Sequence, residues 1–365
     1  MANRPSSSEE GSSPDEADAA TQLGRGHGEP MTRRRPAETP ADGDMVLAWY
    51  ADGAGHERSG ADALEELSRL LRSERVPMWI DLASPSPRQV ERIGGLLGLH
   101  ELIVEDVLEG NQRPKVEVTD GLIHLVLFHL DFEYEQLVSV EIDLVLGPGF
   151  LLSVHDSAWD PRMSHHLRGG VEPLLARGPD HLLWAICDDL VDSYFPLADH
   201  LGDAVDAVQD DVVRSSGPAS LERVIRLKRQ LHEVRRLIAP VREVFNQLTN
   251  RDTALNDAEE LIYFRDVYDH LIRLADEIDS YRELLSATLE VYLTQVNNNL
   301  STIMKRLTGV TVILAGIGAV AGIFGMSEAG KAITGTEATG FWLVTVITVT
   351  IAVAAAALLR RVGWI

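Results

Sequence analysis

The sequence predicts an α/β domain that gives way to long helices and then to two C-terminal membrane-spanning helices. Three features predict it. Short apolar runs alternate with turn residues up to about Trp159, a helical pattern without Gly or Pro runs from near Asn256 to Thr308, and two long uncharged stretches follow. The average hydropathy is near zero only because these parts cancel: almost all the uninterrupted apolar sequence lies after residue 306.

Residues 1–43 are rich in Ser, Glu, Asp, Pro, Gly and Arg and hold no large apolar cluster, so a disordered tail is expected there. No apolar core of a signal peptide is present in that segment, which predicts a cytosolic N-terminus. Residues 44–179 form the expected cytosolic α/β domain. Met45–Tyr50, Met78–Leu82, Leu122–Phe132, Val138–Leu146 and Phe150–His155 read as strands, rich in Val, Leu and Phe. Gly147-Pro148-Gly149 makes a tight connection between the last two, and Ser86–Leu97 reads as a helix that Ser86 can cap.

Residues 180–306 are expected to be a helical stalk. His181–Ser216 carries an acidic stripe of Asp192, Asp199, Asp203, Asp206 and Asp210, and Gly217-Pro218 ends it. Ser220–Asn250 follows with a basic bias, so the two suggest an antiparallel pair, although solvated faces account for most such charges. The third helix, if unbroken from Asn256 to Met326, is about 105 Å long and enters the membrane without a hinge. A conformational change in the soluble part would reach the bilayer directly.

Leu307–Met326 is 20 residues without a charge, and Phe341–Leu359 is another 19. Each is long enough for a hydrocarbon core of about 30 Å. Lys305 and Arg306 precede the first span, and Arg360 and Arg361 open the basic segment 360–365 after the second. The link, residues 327–340, carries only Lys331 against Glu328 and Glu337. The positive-inside rule therefore predicts both ends of the pair in the cytosol and the link outside, in a plasma (inner) membrane. Phe341, Trp342 and Trp364 fit interfacial anchors.

Ser301, Thr308, Thr311, Ala315, Gly318, Gly322 and Gly325 recur at three- and four-residue steps, a small-residue stripe on one face of the first span. Close helix packing explains such a stripe, and Gly318 with Gly322 is a GxxxG pair. A pore-lining face explains it too, with room for a hydrated ion; two helices cannot enclose a pore, so that reading requires an oligomer.

The formal charge is −23, from 56 acidic and 33 basic residues, which argues against nucleic acid and suits either cation accumulation or plain solubility. Cys187 is the single cysteine and fits a reducing compartment. No nucleophile–base pattern supports an enzyme, and no cofactor motif survives inspection. Gly325-x₄-Gly330-Lys331-Ala332 lacks the Ser/Thr of a phosphate loop and follows a membrane helix. His165-His166, His124 and His129 read as surface or packing histidines.

Four blocks carry a family resemblance: Glu105-Asp106-Val107-Leu108 with Gln112-Arg113-Pro114-Lys115-Val116-Glu117; Tyr263-Phe264-Arg265-Asp266-Val267-Tyr268-Asp269-His270; Val291-Tyr292-Leu293 through Asn297-Asn298 to Met304-Lys305; and Ala321-Gly322-Ile323-Phe324-Gly325-Met326. In this order and spacing the chain resembles the CorA family of divalent-cation (Mg²⁺/Co²⁺) transporters from about Met45 to Ile365. The resemblance implies a homopentamer with a funnel-shaped cytosolic part, the first membrane helices lining the pore and the second forming an outer ring. It implies a regulatory Mg²⁺ between Asp106 and Asp266 across a subunit boundary, with Glu105 nearby, for which two carboxylates with retained waters are reasonable chemistry. The alternative is that Asp106 caps a helix and Asp266 pairs with a neighbour.

The departures fall in the pore. The family signature Gly-Met-Asn is here Gly325-Met326-Ser327, and serine offers only a short hydroxyl in place of an amide oxygen. The bulky residue usual at Ala315, the proline usual at Gly316 and the threonine usual at Gly318 are absent. Met304 and Leu307 remain as a gate that closes by dewetting. Relatives of ZntB type, which move Zn²⁺, also deviate near the signature, so a Zn²⁺ transporter, proton-coupled or not, and a non-conducting scaffold stay open beside a Mg²⁺, Co²⁺ or Ni²⁺ channel.

Overall fold

The computed structural model describes residues 43–361 and 363, apart from 74–75, 111, 134–135, 216, 250–258 and 326–336; at 73, 133, 323–325, 337–341 and 343–344 only the backbone is described. Seven strands form one sheet in the order β2-β1-β3-β7-β6-β5-β4. The strands are β1 Asp44–Ala51, β2 Ala54–Ser59, β3 Met78–Ala83, β4 Lys115–Thr119, β5 Leu122–Glu133, β6 Gln136–Gly147 and β7 Phe150–His155. Only β3 and β7 pair in parallel; every other neighbour is antiparallel.

All five strands expected from the sequence are present, and two more were missed. β2 is exposed throughout and shows no apolar alternation; β4 does alternate, with Val116 and Val118 between Lys115, Glu117 and Thr119, but over only five residues. Their turns were visible all the same. Asp52-Gly53 (φ 53° and 80°) closes the β1–β2 hairpin and Asp120-Gly121 (φ 53° and 81°) the β4–β5 hairpin. Two consecutive left-handed residues match the twist of an antiparallel pair, and Asp-Gly is among the pairs that tolerate them best.

Helices cover one face of the sheet: α1 Gly60–Ser73, α2 Pro87–Leu97 and α3 Glu101–Glu109. Ser86 caps α2 by accepting from the Gln89 amide, as its position predicts. Ala63, Leu67 and Leu70 of α1, Ile93 of α2 and Ile103 of α3 pack on Leu47, Ile80, Leu82, Val145 and Leu152. Each fully buried aliphatic side chain contributes about 1.5–3 kcal/mol through its removal from water. After the short α4 Glu172–Leu175, α5 Pro179–Asp192 packs against β6 and β7.

The helical region differs from the prediction at one point. His181–Ser216 is not one helix: α5 ends at Asp192 and α6 Tyr194–Arg214 starts anew beyond Ser193. The Ser193 hydroxyl donates to the Leu190 carbonyl (2.6 Å), and Pro196, with no amide hydrogen, sits in the first turn of α6. α7 Pro218–Leu248 and α8 Glu260–Gly325 follow, the latter 66 residues without a break, and α9 Glu337–Arg361 closes the described chain.

The described residues fall into two compact units. One runs to Leu197 and takes in Arg236–Ile272; the other comprises Ala198–Arg235 and the chain from Arg273. In the second, Leu201, Val205, Val208 and Val212 of α6, Val224, Leu227, Leu231 and Val234 of α7, and Leu274, Ile278 and Leu285 of α8 form buried rows at helical spacing. The acidic stripe of α6 (Asp199, Asp203, Asp206, Asp210) faces solvent, the alternative weighed for it from sequence. The Arg235 guanidinium grips both oxygens of Asp279 (2.6 and 3.1 Å), tying α7 to α8.

Candidate functional site

Candidate residues lie in two places, beside the sheet and along α8. His100 caps α3 with its side chain, and Gly110 ends the helix in the left-handed region. This short helix carries Glu105, exposed, and Asp106, partly buried. The chain then turns through Pro114 into β4, which brings the Lys115 ammonium to Asp106 (2.5 Å) and Glu117 (3.2 Å). Partial burial alone would lower the Lys115 pKa; its bonds to Asp106 and Glu117 outweigh that and hold it above the ordinary lysine value.

Asp266, on α8, is open to solvent, with 69% of its side chain exposed. The His270 Nε2, one turn on, lies 3.9 Å from its carboxylate. Among the described residues no cluster of potential metal ligands joins Asp106 and Asp266 within one chain. An open carboxylate with oxygen donors suits a hard, partly hydrated cation.

The structure assembles groups that sequence spacing could not. His166 sits where the sequence offered no ligand nearby, yet its Nε2 is 2.9 Å from Asp188 and its amide donates to Asp189 (2.9 Å). His270 Nδ1 lies 3.2 Å from Asp192, and Asp188, Asp192 and His270 can bring ligand atoms within 4.8 Å of one another. Burial raises the Asp188 carboxyl above the usual range, against the opposing pull of His166. These residues are far apart in sequence, so no motif announces them. His124 is likewise more than a packing residue: it is fully buried, and its Nε2 lies 2.8 Å from Asp143.

Along α8 the candidate pore residues Ser301, Met304, Leu307, Thr311, Ala315, Gly318 and Gly322 are all exposed in the single chain. The Thr311 hydroxyl donates to the Leu307 carbonyl (2.8 Å), so it costs the helix no unsatisfied group. A Cβ added at Gly316, Gly318 or Gly322 would meet no atom within 4 Å. Gly325 is the last residue of α8; Met326 and Ser327 lie outside the described residues, as does most of the link.

Among the described residues one helix, α8, is long and apolar enough to cross a membrane, and only 6% of its apolar window is buried. That separates it from the core helix of a soluble protein, whose apolar window is covered by its own chain. α9 spans the second apolar stretch and ends in Arg360 and Arg361.

Comparison with known proteins agrees. The family model described as CorA-like Mg²⁺ transporter protein matches residues 74–361. The Cobalt/magnesium transport protein CorA of Thermotoga maritima is 34% identical over 262 residues, 70% of this chain and 74% of that one. The Zinc transport protein ZntB of Yersinia pseudotuberculosis is 24% identical, covering 88% of this chain and 96% of its own. In fold, the complete structure of the CorA magnesium transporter from Methanocaldococcus jannaschii matches with a TM-score of 0.72 at 23% identity, over 88% of this chain and 98% of that one. The mixed sheet, the long α8 and the extent of these matches lead to one conclusion: the chain belongs to the CorA-like Mg²⁺ transporter family.

Proposed function

We propose that this chain is one subunit of a homopentameric channel for divalent cations in the plasma membrane, carrying Mg²⁺ and with it Co²⁺ or Ni²⁺. The observation that carries the reading is the exposed α8 face. Ser301, Thr311, Ala315, Gly318 and Gly322 leave a stripe of small side chains uncovered in the isolated chain, and an apolar window with 6% burial needs lipid and further subunits. Five copies around an axis would line a path with these residues, with Met304 and Leu307 as the cytosolic constriction and Gly325, Met326 and Ser327 at the outer mouth. The cation is substrate, passing largely hydrated because Mg²⁺ gives up water reluctantly.

Regulation is assigned to Asp106 and Asp266 of neighbouring subunits, with Glu105 adjacent. Cytosolic metal bridging these carboxylates holds the pore shut, and its loss releases α8, whose single helix passes from the Asp266 turn to the membrane segment. Both chain ends are cytosolic in this arrangement, and lipid and the other subunits are its partners.

The test is Asp266→Ala. Flux through the variant should no longer fall as internal Mg²⁺ rises, whereas retained inhibition removes Asp266 from the sensor. A second reading, a Zn²⁺ transporter, is favoured by Ser327 in place of the signature asparagine and by the ZntB relative. Ser327→Asn separates the two: a Mg²⁺ channel should conduct better with the amide restored, and a Zn²⁺ transporter should not.

A further inference from the structure

We infer that Asp106, Glu117 and His124 form a transition-metal site of mixed oxygen and nitrogen donors, which the chain keeps filled with the Lys115 ammonium. One carboxylate oxygen each from Asp106 and Glu117 and one imidazole nitrogen of His124 lie within 4.8 Å of one another. Glu117 and His124 are opposite each other in the β4–β5 ladder, so both project from the same side of the sheet, toward α3. Lys115, two residues before Glu117, shares that side, and its ammonium touches both carboxylates.

His124 supplies the independent sign of a ligand site. The ring is fully buried, its Nε2 lies 2.8 Å from Asp143, and its Nδ1 has no hydrogen-bond partner. In a neutral imidazole whose Nε2 proton goes to a carboxylate, Nδ1 holds a free lone pair, the arrangement by which metal-binding histidines are oriented. An acceptor buried without a donor carries a desolvation cost that a cation would remove.

Charge points the same way. Asp106, Glu117 and Asp143 bring three carboxylates together, and Lys115 is the one lysine or arginine among the residues named here. Imidazole with carboxylates selects Co²⁺, Ni²⁺ or Zn²⁺ over Mg²⁺, which prefers oxygen and water. The site goes beyond the transport reading: it shares Asp106 with the proposed Mg²⁺ sensor but stands on its own residues. Occupied by metal, it would release Lys115 and take Asp106 from the sensor, so that a transition metal would alter Mg²⁺ control.

The experiment is a CoCl₂ titration of the purified full-length protein in lipid nanodiscs at fixed pH, followed by calorimetry and by the visible absorption of bound Co²⁺. Lys115→Met removes the resident cation, and Co²⁺ should bind at least about tenfold more tightly than to the unmodified chain. Adding Glu117→Gln, on a half-exposed side chain that is safe for folding, should reverse that gain; His124→Phe should do the same and change the absorption band. Equal Co²⁺ affinity in Lys115→Met and the unmodified protein overturns the inference, as does a gain that survives Glu117→Gln. Flux measured on the same proteins reconstituted in liposomes keeps the two readings apart. A transport failure with the Co²⁺ gain intact counts against the channel alone.

Discussion

Asp81 shows how a buried carboxyl group is given partners. It lies on β3, 6% exposed, where Ser153 donates to it and His155 Nε2 approaches to 3.1 Å from β7. The Trp79 indole donates in turn to the Ser153 hydroxyl (2.9 Å). Burial by itself would lower His155; the bond to Asp81 and the charges around it prevail, and its pKa is raised above the ordinary 6.5. A histidine raised in the folded state contributes stability that is whole below the unfolded value and is lost as pH climbs through the folded one. Asp81→Asn should therefore cost about 3 kcal/mol near pH 6 and less at pH 9. Denaturation of both proteins across that range measures it, and a pH-independent difference would show that His155 carries no charge here.

Single elements meet at close quarters in the second unit. Gly202 of α6 faces Tyr281 of α8 so closely that an added Cβ would stand 2.5 Å from the phenol oxygen and 2.7 Å from Cζ. Gly202→Val should destabilise the helical unit by about 1–3 kcal/mol through overpacking. Tyr281→Ala in the same chain should recover part of that loss, a non-additivity that thermal denaturation of the single and double variants would detect.

At this scale much was legible in the sequence. The five strands with apolar content and the Ser86 cap follow from local pattern, and so does the long α8. β2 was missed because a polar, exposed edge strand carries no hydrophobic period, and β4 because its Val116–Val118 alternation is only five residues long, although Asp52-Gly53 and Asp120-Gly121 signalled their hairpins. The break at Ser193 was signalled by Pro196, which the continuous apolar pattern around it outweighed. Motifs alone singled out the candidates Glu105, Asp106 and Asp266, whose role stays a proposal. Lys115 as the partner of Asp106, and His166 beside Asp188, depend on tertiary folding that spacing does not encode.

For the whole molecule, the exposed glycines of α8 give a test that the chain's own packing cannot confound. Nothing lies within 4 Å of a Cβ placed at Gly318. Gly318→Leu should leave the isolated helix intact, and even favour it by about 0.5–1 kcal/mol from helix propensity. If this face lines a pore formed by several copies, the variant should lose most of its ion flux while keeping its secondary structure by circular dichroism. Unchanged flux would place the stripe elsewhere than on the pathway.

The central claim is that the oligomer conducts divalent cations. Purified protein in liposomes, offered Mg²⁺, Co²⁺ and Zn²⁺ separately with and without a pH gradient, tests it most directly. Mg²⁺ and Co²⁺ should enter regardless of the pH gradient, and their uptake should decline as Mg²⁺ accumulates inside. Uptake of Zn²⁺ alone, driven by the pH gradient, or no uptake of any ion, would contradict it.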